Sequence, residues 1–400
     1  SNIAFCNRQV TLPCVLLSDR LRRMNILMTS WYTGLGGGET DLLALADHID
    51  RTQYTLHLLV PREGQLTQKW RERDLPVHIV DYRGTTTWFI PAIWTQFPAS
   101  GRIADIVRQH DIDLIHAQYH TLPFAYGASQ QTGVPVIWSI WGWWFKPKAW
   151  QRNFFQQIPA VARSHSIREG YLGTPPFMPA EQIPVIYSGV DTDRFHPEID
   201  TAPLVADLPF TPQAPIVALI ARFQKVKGHH AFQAMIRILA EQHPDVHFIV
   251  AGEDTFGVAK DEAYKQGILN TAQTDPLLKD RLHYIGFRDD IERVMTLADV
   301  VVCASEFESY GKVNLEAMAC GTPVVSTNRG GPAETVQDGK TGFLVNPDDP
   351  AALAERVHRL LTEPDTYARI SSAGARHVRE QFSATATARA YEAFFAENLP

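Results

Sequence analysis

The sequence predicts an α/β protein with two doubly wound domains, each a parallel sheet covered by helices on both faces. Three observations support this fold class: a length of 400 residues, short apolar runs that alternate with helical patterns, and a single proline-rich break. A chain this long exceeds what one hydrophobic core usually supports. Strand–helix alternation is typical of parallel sheets, whose strands need crossover connections. We expect the two domains to face each other across a cleft.

The break lies at residues 196–215, a stretch with five prolines and little periodicity, and we interpret it as the inter-domain linker. Residues 1–23 precede the first patterned strand and are predicted to be an N-terminal extension. The predicted N-terminal domain covers 24–195 and the C-terminal domain covers 216–380.

Short apolar runs predict six strands in the first half of the chain: Ile26–Ser30, Thr55–Val60, Val77–Asp81, Leu114–Ala117, Val134–Ile140 and Ile183–Tyr187. Five more are predicted in the second half: Ile216–Ala221, Val246–Ala251, Leu282–Ile285, Val300–Ala304 and Thr322–Ser326. Asp349 followed by Pro350 is a typical helix start, so we predict a helix from there through Leu361.

Composition and charge exclude several classes of protein. The chain is 45% hydrophobic and 20% charged with a net charge of −7, which gives no general reason to expect a nucleic-acid partner. Its four cysteines are too few and too scattered for a disulfide framework or a zinc motif, which favours a reducing, cytoplasmic compartment. No apolar run reaches the length of a membrane span.

The most informative stretch runs from the buried strand at 300–304 through a loop into a helix that starts near Gly311. Ligands of open α/β sheets bind at the carboxyl ends of strands, and a helix N-terminus suits a phosphate. Glu308 lies in the loop. Glu316 lies little more than one turn into the helix and can reach back to the same pocket, because helical side chains lean toward the N-terminus. One carboxylate could hold sugar hydroxyls and the other ribose hydroxyls. A solvated helix face, or the carboxylate pair of a glycosidase, would give the same spacing.

Glu308-x7-Glu316, continued as Glu-Ala-Met-Ala-Cys-Gly-Thr-Pro-Val-Val, closely resembles the signature of glycosyltransferase family 4, also called group 1. Ser188–Phe195, Arg222–Gly228 and Gly330–Glu334 match other pieces of the family in the same order. The resemblance implies a retaining transferase with the GT-B fold. It implies a nucleotide-sugar bound mainly to the C-terminal domain, with Tyr310, Gly311, Lys312 and Val313 beside Glu308 and Glu316. It also implies a final helix, within residues 381–400, that crosses back onto the N-terminal domain.

Two further segments are expected to hold the donor diphosphate. Arg222 and Lys227 follow a predicted strand, and cations there would stabilise the charge of a leaving diphosphate. The resemblance assigns both residues to that contact. The loop Gly34-Leu35-Gly36-Gly37-Gly38-Glu39 matches neither a dinucleotide motif nor an ATP-binding loop. The resemblance places it against the donor phosphate and the acceptor, with Gly37 and Gly38 as the contact residues.

No metal or other cofactor is expected beside the nucleotide-sugar co-substrate. Asp191-Thr192-Asp193 resembles the metal-binding Asp-x-Asp element of another transferase fold, but it belongs to a family stretch near the domain junction, where its role is structural. Elsewhere the sequence has no cluster with the spacing of hard-oxygen ligands.

The N-terminal domain is expected to hold the acceptor, a glycan, a lipid-linked sugar or a small molecule. The resemblance points to a loop with His116, Gln118 and His120, and to Trp141, although Gln118 and Trp141 stand where the family commonly has histidine. His120 is placed with Glu308, Arg222 and Lys227 in the predicted catalytic set. His116 has two open interpretations, an acceptor contact or a hydrogen-bonded core histidine.

Five tryptophans lie within Trp138–Trp150, with Trp88 and Trp94 upstream. They could pack a core, form a wall for the acceptor, or contact the inner face of a membrane beside lysines. Two alternative functions also stay open: another GT-B enzyme, such as a nucleotide-sugar epimerase, and a catalytically silent nucleotide-sugar-binding protein.

Overall fold

The computed structural model describes residues 22–82, 91–142, 146–210, 214–255 and 258–399. Two parallel sheets dominate it. The first contains β1 (Met24–Thr29), β2 (Tyr54–Val60), β3 (Val77–Ile79), β4 (Leu114–Gln118), β5 (Val136–Ile140) and β6 (Ala160–Ala162). The second contains β7 (Ile216–Ile220), β8 (His247–Ala251), β9 (Leu282–Gly286), β10 (Val300–Cys303), β11 (Val324–Thr327) and β12 (Phe343–Val345).

Both sheets have the same topology. The strand order is β3-β2-β1-β4-β5-β6 in the first and β12-β11-β10-β7-β8-β9 in the second, and all recorded strand pairs are parallel. In each sheet the first strand of the chain lies near the centre. The next two strands are added on one side of it, and the last three are added on the other side. The direction of winding therefore reverses between β1 and β4, and again between β7 and β10. Crevices at such switch points are where doubly wound folds bind ligands.

Helices cover both faces of each sheet. Those associated with the first half of the chain are α1 (Gly37–His48), α2 (Gln65–Arg71), α3 (Pro98–Gln109), α4 (Leu122–Thr132), α5 (Ala149–Phe155), α6 (His165–Leu172) and α7 (Ala202–Asp207). The second half contains α8 (His229–Gln242), α9 (Ala259–Thr274), α10 (Ile291–Leu297), α11 (Lys312–Ala319), α12 (Pro332–Thr335), α13 (Pro350–Thr362), α14 (Pro364–Gln381) and α15 (Ala384–Asn398).

Strand β10 shows why the apolar runs are continuous rather than alternating. Val300 and Val302 pack into the core on one face of the second sheet, and Val301 packs into the core on the other. All three are at most 1% exposed. Each such side chain contributes about 1.5–3 kcal/mol of burial free energy, and a strand covered on both faces must be apolar at every position.

The final helix crosses back to the first domain, as predicted. Ala388, Phe394 and Phe395 of α15 are buried in the core of the first sheet. The crossing is tied by backbone hydrogen bonds, because Val190 donates its N–H to Phe382 O and accepts one from Ala384, both at 2.8 Å. The predicted α/β fold of two parallel-sheet domains is therefore confirmed. The predicted helix after Asp349 is confirmed too, since the Asp349 carboxylate caps α13 through the N–H of Ala352.

The predicted strand Ile183–Tyr187 is wrong. The sixth strand of the first sheet is Ala160–Ala162, and the later segment only adds a single bridge from Val185 to Ala162. Pro184 has no N–H to donate to a ladder, so pairing stops after a few bonds. Three-residue β6 and β12 were missed because so short a run has no readable periodicity.

The stretch 196–215 contains the short helix α7. Its Leu204 is fully buried and packs with Phe195 and Ile216 in a core of the C-terminal domain. The predicted domain boundaries stay predictions. In the part of the chain that the structure describes, no helix is long and apolar enough to cross a membrane.

Candidate functional site

Most of the predicted site residues lie at the carboxyl ends of the four strands at the two switch points, whereas Trp141 follows β5. Arg222 and Lys227 come after β7, and Glu308 comes after β10. In the first sheet the glycine loop follows β1, whereas Gln118 is the last residue of β4. Carboxyl ends of parallel strands meet at one edge of a sheet, so each pair of loops forms one rim of a crevice.

Lys227 and Glu308 form an ion pair at the rim of the C-terminal sheet. Lys227 Nζ lies 2.6 Å from Glu308 Oε1, and Ser305 Oγ donates to the same oxygen at 2.8 Å. The two side chains are 21% and 13% exposed, so the pair is screened from bulk water but open on one side. The ammonium group of Lys227 and the carboxylate of Glu308 can therefore contact the same ligand, one through its anionic groups and the other through its hydrogen-bond donors.

Gly228 allows the two loops to approach each other. It has a φ of +73°, and a Cβ there would lie 1.8 Å from the carbonyl oxygen of Ala304. Beside it, the N–H of Glu306 donates to Val226 O at 2.8 Å. Any side chain at 228 would push the lysine loop off the end of β10, because backbone atoms cannot yield that space.

Helix α11 begins beside this pair. Gly311 is its N-cap, with a φ of +77°, and the free N–H groups of the first turn suit a phosphate. Glu316 lies one turn further on, and burial raises the pKa of its carboxyl, with Lys312 acting in the opposite direction. Lys312 Nζ is 3.9 Å from Glu316 Oε1. Val313, the residue after Lys312, is half-buried against the core of the C-terminal domain.

Arg222 and Tyr310 occupy different environments. Arg222 is exposed and forms no ion pair with any carboxylate that the structure describes. Tyr310 is 2% exposed, and its hydroxyl donates to Ser188 O at 2.6 Å, a contact between the two halves of the chain. Tyr310 therefore lies behind the rim, where it supports the loop of Glu308.

A charged cluster joins the two domains across the cleft, and sequence reasoning missed most of it. Asp41 of α1 accepts a 2.6 Å ion pair from Lys312 of α11 and a hydrogen bond from Ser188 Oγ at 2.8 Å. Arg163 also pairs with Asp41. Its guanidinium lies 5.2 Å from the ring centroid of Tyr310, within the range of a cation–π contact. Aspartate in a helix and arginine after a strand carry no local signal of such a contact.

Trp141 packs directly on the glycine loop. A Cβ at Gly38 would lie 1.9 Å from Cζ3 of its indole, whereas one at Gly37 would meet nothing within 4 Å. The Arg163 guanidinium also lies over the indole, 5.4 Å from the ring centroid. Gly38 is thus needed for this close approach, and Gly37 leaves open space at the start of α1.

His116 occupies a core position beside the cleft. It is 1% exposed, with Nε2 2.6 Å from Ser139 Oγ and its ring against Tyr391 and Phe395. Burial lowers the pKa of this imidazole to about 3. This environment favours the core interpretation of His116.

Gln118 and His120 lie at the end of the same strand and just beyond it. Gln118 is 4% exposed, and its Oε1, like His116 Nδ1, has no hydrogen-bond partner among the described residues. Gln118 and His116 line a small cavity together with Trp141 and Asp41. His120 is half-buried, and burial lowers its pKa. Buried polar atoms without a partner, on residues that line one cavity, indicate a place for a polar ligand.

Glu39, the last residue of the glycine loop motif, has an unusual titration. Its side chain is buried in the first turn of α1, and that burial raises its carboxyl pKa to about 7; the nearby Asp41 carboxylate acts in the same direction. A carboxyl that titrates near neutrality beside a cleft is a candidate functional group. The sequence places Glu39 in the loop but gives no measure of its burial.

Asp191 behaves as a turn residue. Its Oδ1 accepts N–H groups of Asp193 and Arg194 at 3.0 and 3.1 Å. Ligand atoms of Asp191, Asp193 and His48 nevertheless lie within 4.8 Å of one another, so a weak cation contact is geometrically open there. The absence of a required metal stays a prediction.

The tryptophans serve several roles. Trp138 and Trp94 are fully buried in the core of the first sheet, whereas Trp150 is 59% exposed. Trp143, Trp144 and Trp88 lie outside the described residues. Membrane contact through this region stays a prediction.

Two parallel-sheet domains with ligand loops at facing switch points define the GT-B class of protein. Two family profiles match the chain, "Glycosyltransferase Family 4" over residues 35–194 and "Glycosyl transferases group 1" over residues 203–377. Together they account for most of both domains. The chain belongs to this family of group 1 glycosyltransferases.

A relative agrees with that assignment, and solved structures agree with the fold. The chain is 32% identical over 238 residues to an α-maltose-1-phosphate synthase of Mycolicibacterium smegmatis, an alignment with 56% of this chain and 59% of the relative. The chain spans about half the length of the curated relatives it matches. A glycosyltransferase from Rickettsia africae superposes with a TM-score of 0.81 at 20% identity, over 94% of this chain and 98% of that one. Anabaena Alr3699/HepE in complex with UDP and glucose superposes with a TM-score of 0.78 at 23% identity, over 94% and 100%.

Proposed function

We propose that this chain is a retaining glycosyltransferase that moves a hexose from a nucleoside-diphosphate sugar to an acceptor hydroxyl. The observation that carries the proposal is the Lys227–Glu308 ion pair at the β7–β10 switch point, directly beside the N-terminus of α11. A nucleotide-sugar needs cations for its diphosphate and hydrogen-bond acceptors for its sugar hydroxyls, and these residues supply both. The family membership and the name of a fold neighbour solved with UDP-glucose support the same donor class.

In this mechanism the donor diphosphate lies between Lys227, Arg222 and the first N–H groups of α11. Charge grows on the leaving diphosphate in the transition state, so cations and a helix N-terminus already in place lower the barrier. Such preorganised groups cost no rearrangement at the moment of reaction. Exposed Arg222 gains an anionic partner only when the donor binds.

Glu308 and Glu316 hold hydroxyl groups on either side of that phosphate. Glu308 shares its Oε1 between Lys227 and Ser305, and its carboxylate would accept hydrogen bonds from the donor sugar. Glu316 would hold the ribose. The rise in its pKa through burial is offset when two hydroxyls donate to the charged form, because such hydrogen bonds favour the carboxylate.

The acceptor enters from the N-terminal rim, between the glycine loop and the end of β4. Gln118 Oε1 has no hydrogen-bond partner among the described residues, and Gln118 and Trp141 line the same cavity, which makes both of them candidate acceptor contacts. His120 stands beyond them as a further contact. The acceptor hydroxyl would pass its proton to the departing diphosphate in a front-face displacement, which retains the anomeric configuration and needs no separate base.

The reaction is proposed to run without a divalent metal, with Lys227 and Arg222 neutralising the diphosphate. A glycan, a lipid-linked sugar or a small molecule would serve as acceptor. The proposed setting is the cytoplasm, with contact at the inner face of a membrane where the acceptor is lipid-linked.

Thermal-shift measurements with UDP-, GDP- and ADP-sugars would identify the donor, and NMR of the transferred sugar would then give its anomeric configuration, with a chelator present. We expect one nucleotide class to stabilise the chain and an α-linked product from an α-linked donor. Stabilisation by none of them would contradict the donor assignment, and an inverted product would contradict retention. Loss of turnover with chelator, in a chain whose melting temperature shows that it is still folded, would contradict metal independence. A product formed without acceptor would favour the epimerase alternative, and binding without any product the silent binding protein.

A further inference from the structure

Three histidines come together on the first domain, away from the cleft. His57 lies in β2, His78 in β3, and His110 follows the last residue of α3. The amide of Asn25, at the start of β1, donates to the carbonyl of His110 at 3.1 Å. The cluster therefore extends from the middle of β2 and β3 to the amino edge of the sheet, whereas the glycine loop and Gln118 lie at the carboxyl ends.

The topology dictates this meeting. His78 is the register partner of Leu59 in the parallel pair β2–β3, and His57 precedes Leu59 by two residues. Side chains two apart on a strand share a face, and register partners of neighbouring strands do too. Helix α3 packs against that face through Ile103 and Val107, which join Leu59 in one core, and delivers His110 from its end.

The three rings are close enough to share one ligand. His57 Nδ1 lies 3.0 Å from His78 Nε2, and one nitrogen from each of the three rings falls within 4.8 Å of the others. The His78 and His110 ring centroids are 4.4 Å apart. Nitrogens bound to one tetrahedral zinc at about 2.0–2.1 Å would lie a little over 3 Å apart. The His57–His78 distance is already close to that value, and the 4.8 Å limit for the three nitrogens is wider than it, so the rings would draw together around a bound ion.

Burial gives the cluster one closed and one open side. His57 is 5% exposed, whereas His78 and His110 are half-buried. The ring of His110 has no hydrogen-bond partner among the described residues. A hydrogen bond between His57 and His78 would account for the closeness of those two rings. It would not account for the position of the third ring, that of His110.

We propose that His57, His78 and His110 form a binding site for one divalent transition-metal ion, with Zn²⁺ as the best match. Imidazole nitrogens suit zinc, copper or nickel, and they do not suit Mg²⁺ or Ca²⁺, which prefer oxygen ligands. Three protein ligands leave the fourth position to water from the open side. The ion would join β2, β3 and the end of α3, and it would stabilise the first domain by mass action. This site is separate from the donor cleft and does not alter metal-independent transfer there.

The test uses the full chain without a tag, after treatment with a chelator. Zn²⁺ is titrated into it and the binding is measured by calorimetry. Co²⁺ is added in a separate experiment as the spectroscopic probe. We expect one ion per chain, a higher melting temperature with Zn²⁺, and Co²⁺ absorption typical of nitrogen ligands. His78→Gln and His110→Gln each remove one ligand from a half-buried position. Each should weaken binding at least about tenfold, since even second-sphere changes at metal sites cost 10–100-fold.

His243→Gln is the matched control. His243 Nε2 and His358 Nδ1 lie 2.9 Å apart in the C-terminal domain, a two-histidine contact without a third ring in the described chain. This variant should bind Zn²⁺ like the wild type. Melting of each metal-free variant separates loss of a ligand from loss of folding. The proposal is overturned if the wild type binds no ion, or if a folded His110→Gln chain binds as tightly as the wild type.

Discussion

The ammonium nitrogen of Lys227 lies 2.6 Å from Oε1 of Glu308, although the two residues follow different strands of the C-terminal sheet. The contact exists because β7 and β10 are neighbours at the switch point and because Gly228 lets the two loops touch. It links a diphosphate-binding charge to a sugar-binding carboxylate in one hydrogen-bonded unit. The consequence is that neither side chain is positioned independently of the other.

Replacement of Lys227 by methionine should lower kcat by about 10²–10³-fold, the usual cost of one lost charge-stabilising contact. The stem of the side chain is kept, so packing is preserved. Steady-state kinetics with the identified donor would measure this. Lys225→Met, on the same loop, serves as the control and should leave kcat within a few-fold of the wild type.

The same pair should show energetic coupling in the folded chain. Lys227→Met and Glu308→Gln each leave a partner without its counter-charge, so their effects on the free energy of unfolding should not add in the double variant. We expect a coupling of about 0.5–3 kcal/mol in urea unfolding. Strict additivity would mean that the ion pair is absent in solution.

Asp41→Asn should loosen the contact between the domains. Its carboxylate accepts the ion pairs of both Lys312 and Arg163, so the variant leaves two cations facing each other across the cleft. Small-angle X-ray scattering should show a larger radius of gyration, and the KM for donor should rise. Asp47→Asn breaks a comparable pair with Arg73 inside the first domain and should change neither quantity.

Glu39 should make stability depend on pH in a defined direction. Its folded-state pKa of about 7 is above the ordinary 4.5, so the folded chain holds a proton that the unfolded chain releases. This contribution is fully present below pH 4.5 and is lost as pH rises through 7, with about 3 kcal/mol at most. Urea unfolding at pH 5 and pH 8 should therefore differ less in Glu39→Gln than in the wild type. Glu241→Gln, on the exposed surface, should follow the wild type.

Gly38→Ala should displace Trp141, because the added methyl would overlap the indole. We expect a loss of about 1–3 kcal/mol in stability, typical of overpacking, and a higher KM for acceptor. Gly37→Ala adds the same methyl in open space and should be neutral or slightly stabilising. Equal effects of the two substitutions would show that Trp141 does not pack on Gly38.

The sequence alone was sufficient for features that depend on local pattern. Buried strands such as β10 are apolar at every position, and Asp349-Pro350 begins a helix in the expected way. The loop with Glu308 and the helix with Glu316 could likewise be predicted, because the loop comes directly after an apolar strand and the helix begins after Gly311. Ile183–Tyr187 was misassigned because an apolar run with Pro184 looks like a strand but cannot extend a ladder.

Contacts between segments far apart in the chain could not be predicted from the sequence. Asp41 meets Lys312 only because the two domains close on each other, and no spacing in the sequence encodes that distance. The burial that raises the pKa of Glu39 depends on the same packing. The meeting of His57, His78 and His110 depends on strand register and on the end of α3. Such features follow from topology, which single-sequence periodicity does not determine.

The most direct test of the Lys227–Glu308 site is calorimetry with a nucleoside diphosphate and with the matching nucleotide-sugar. Each ligand is titrated into the wild type, Lys227→Met and Glu308→Gln. We expect Lys227→Met to weaken the binding of both ligands. Glu308→Gln keeps a side-chain oxygen that can accept from Lys227, so it should weaken the nucleotide-sugar much more than the nucleoside diphosphate. Wild-type affinity for both ligands in both folded variants would contradict it.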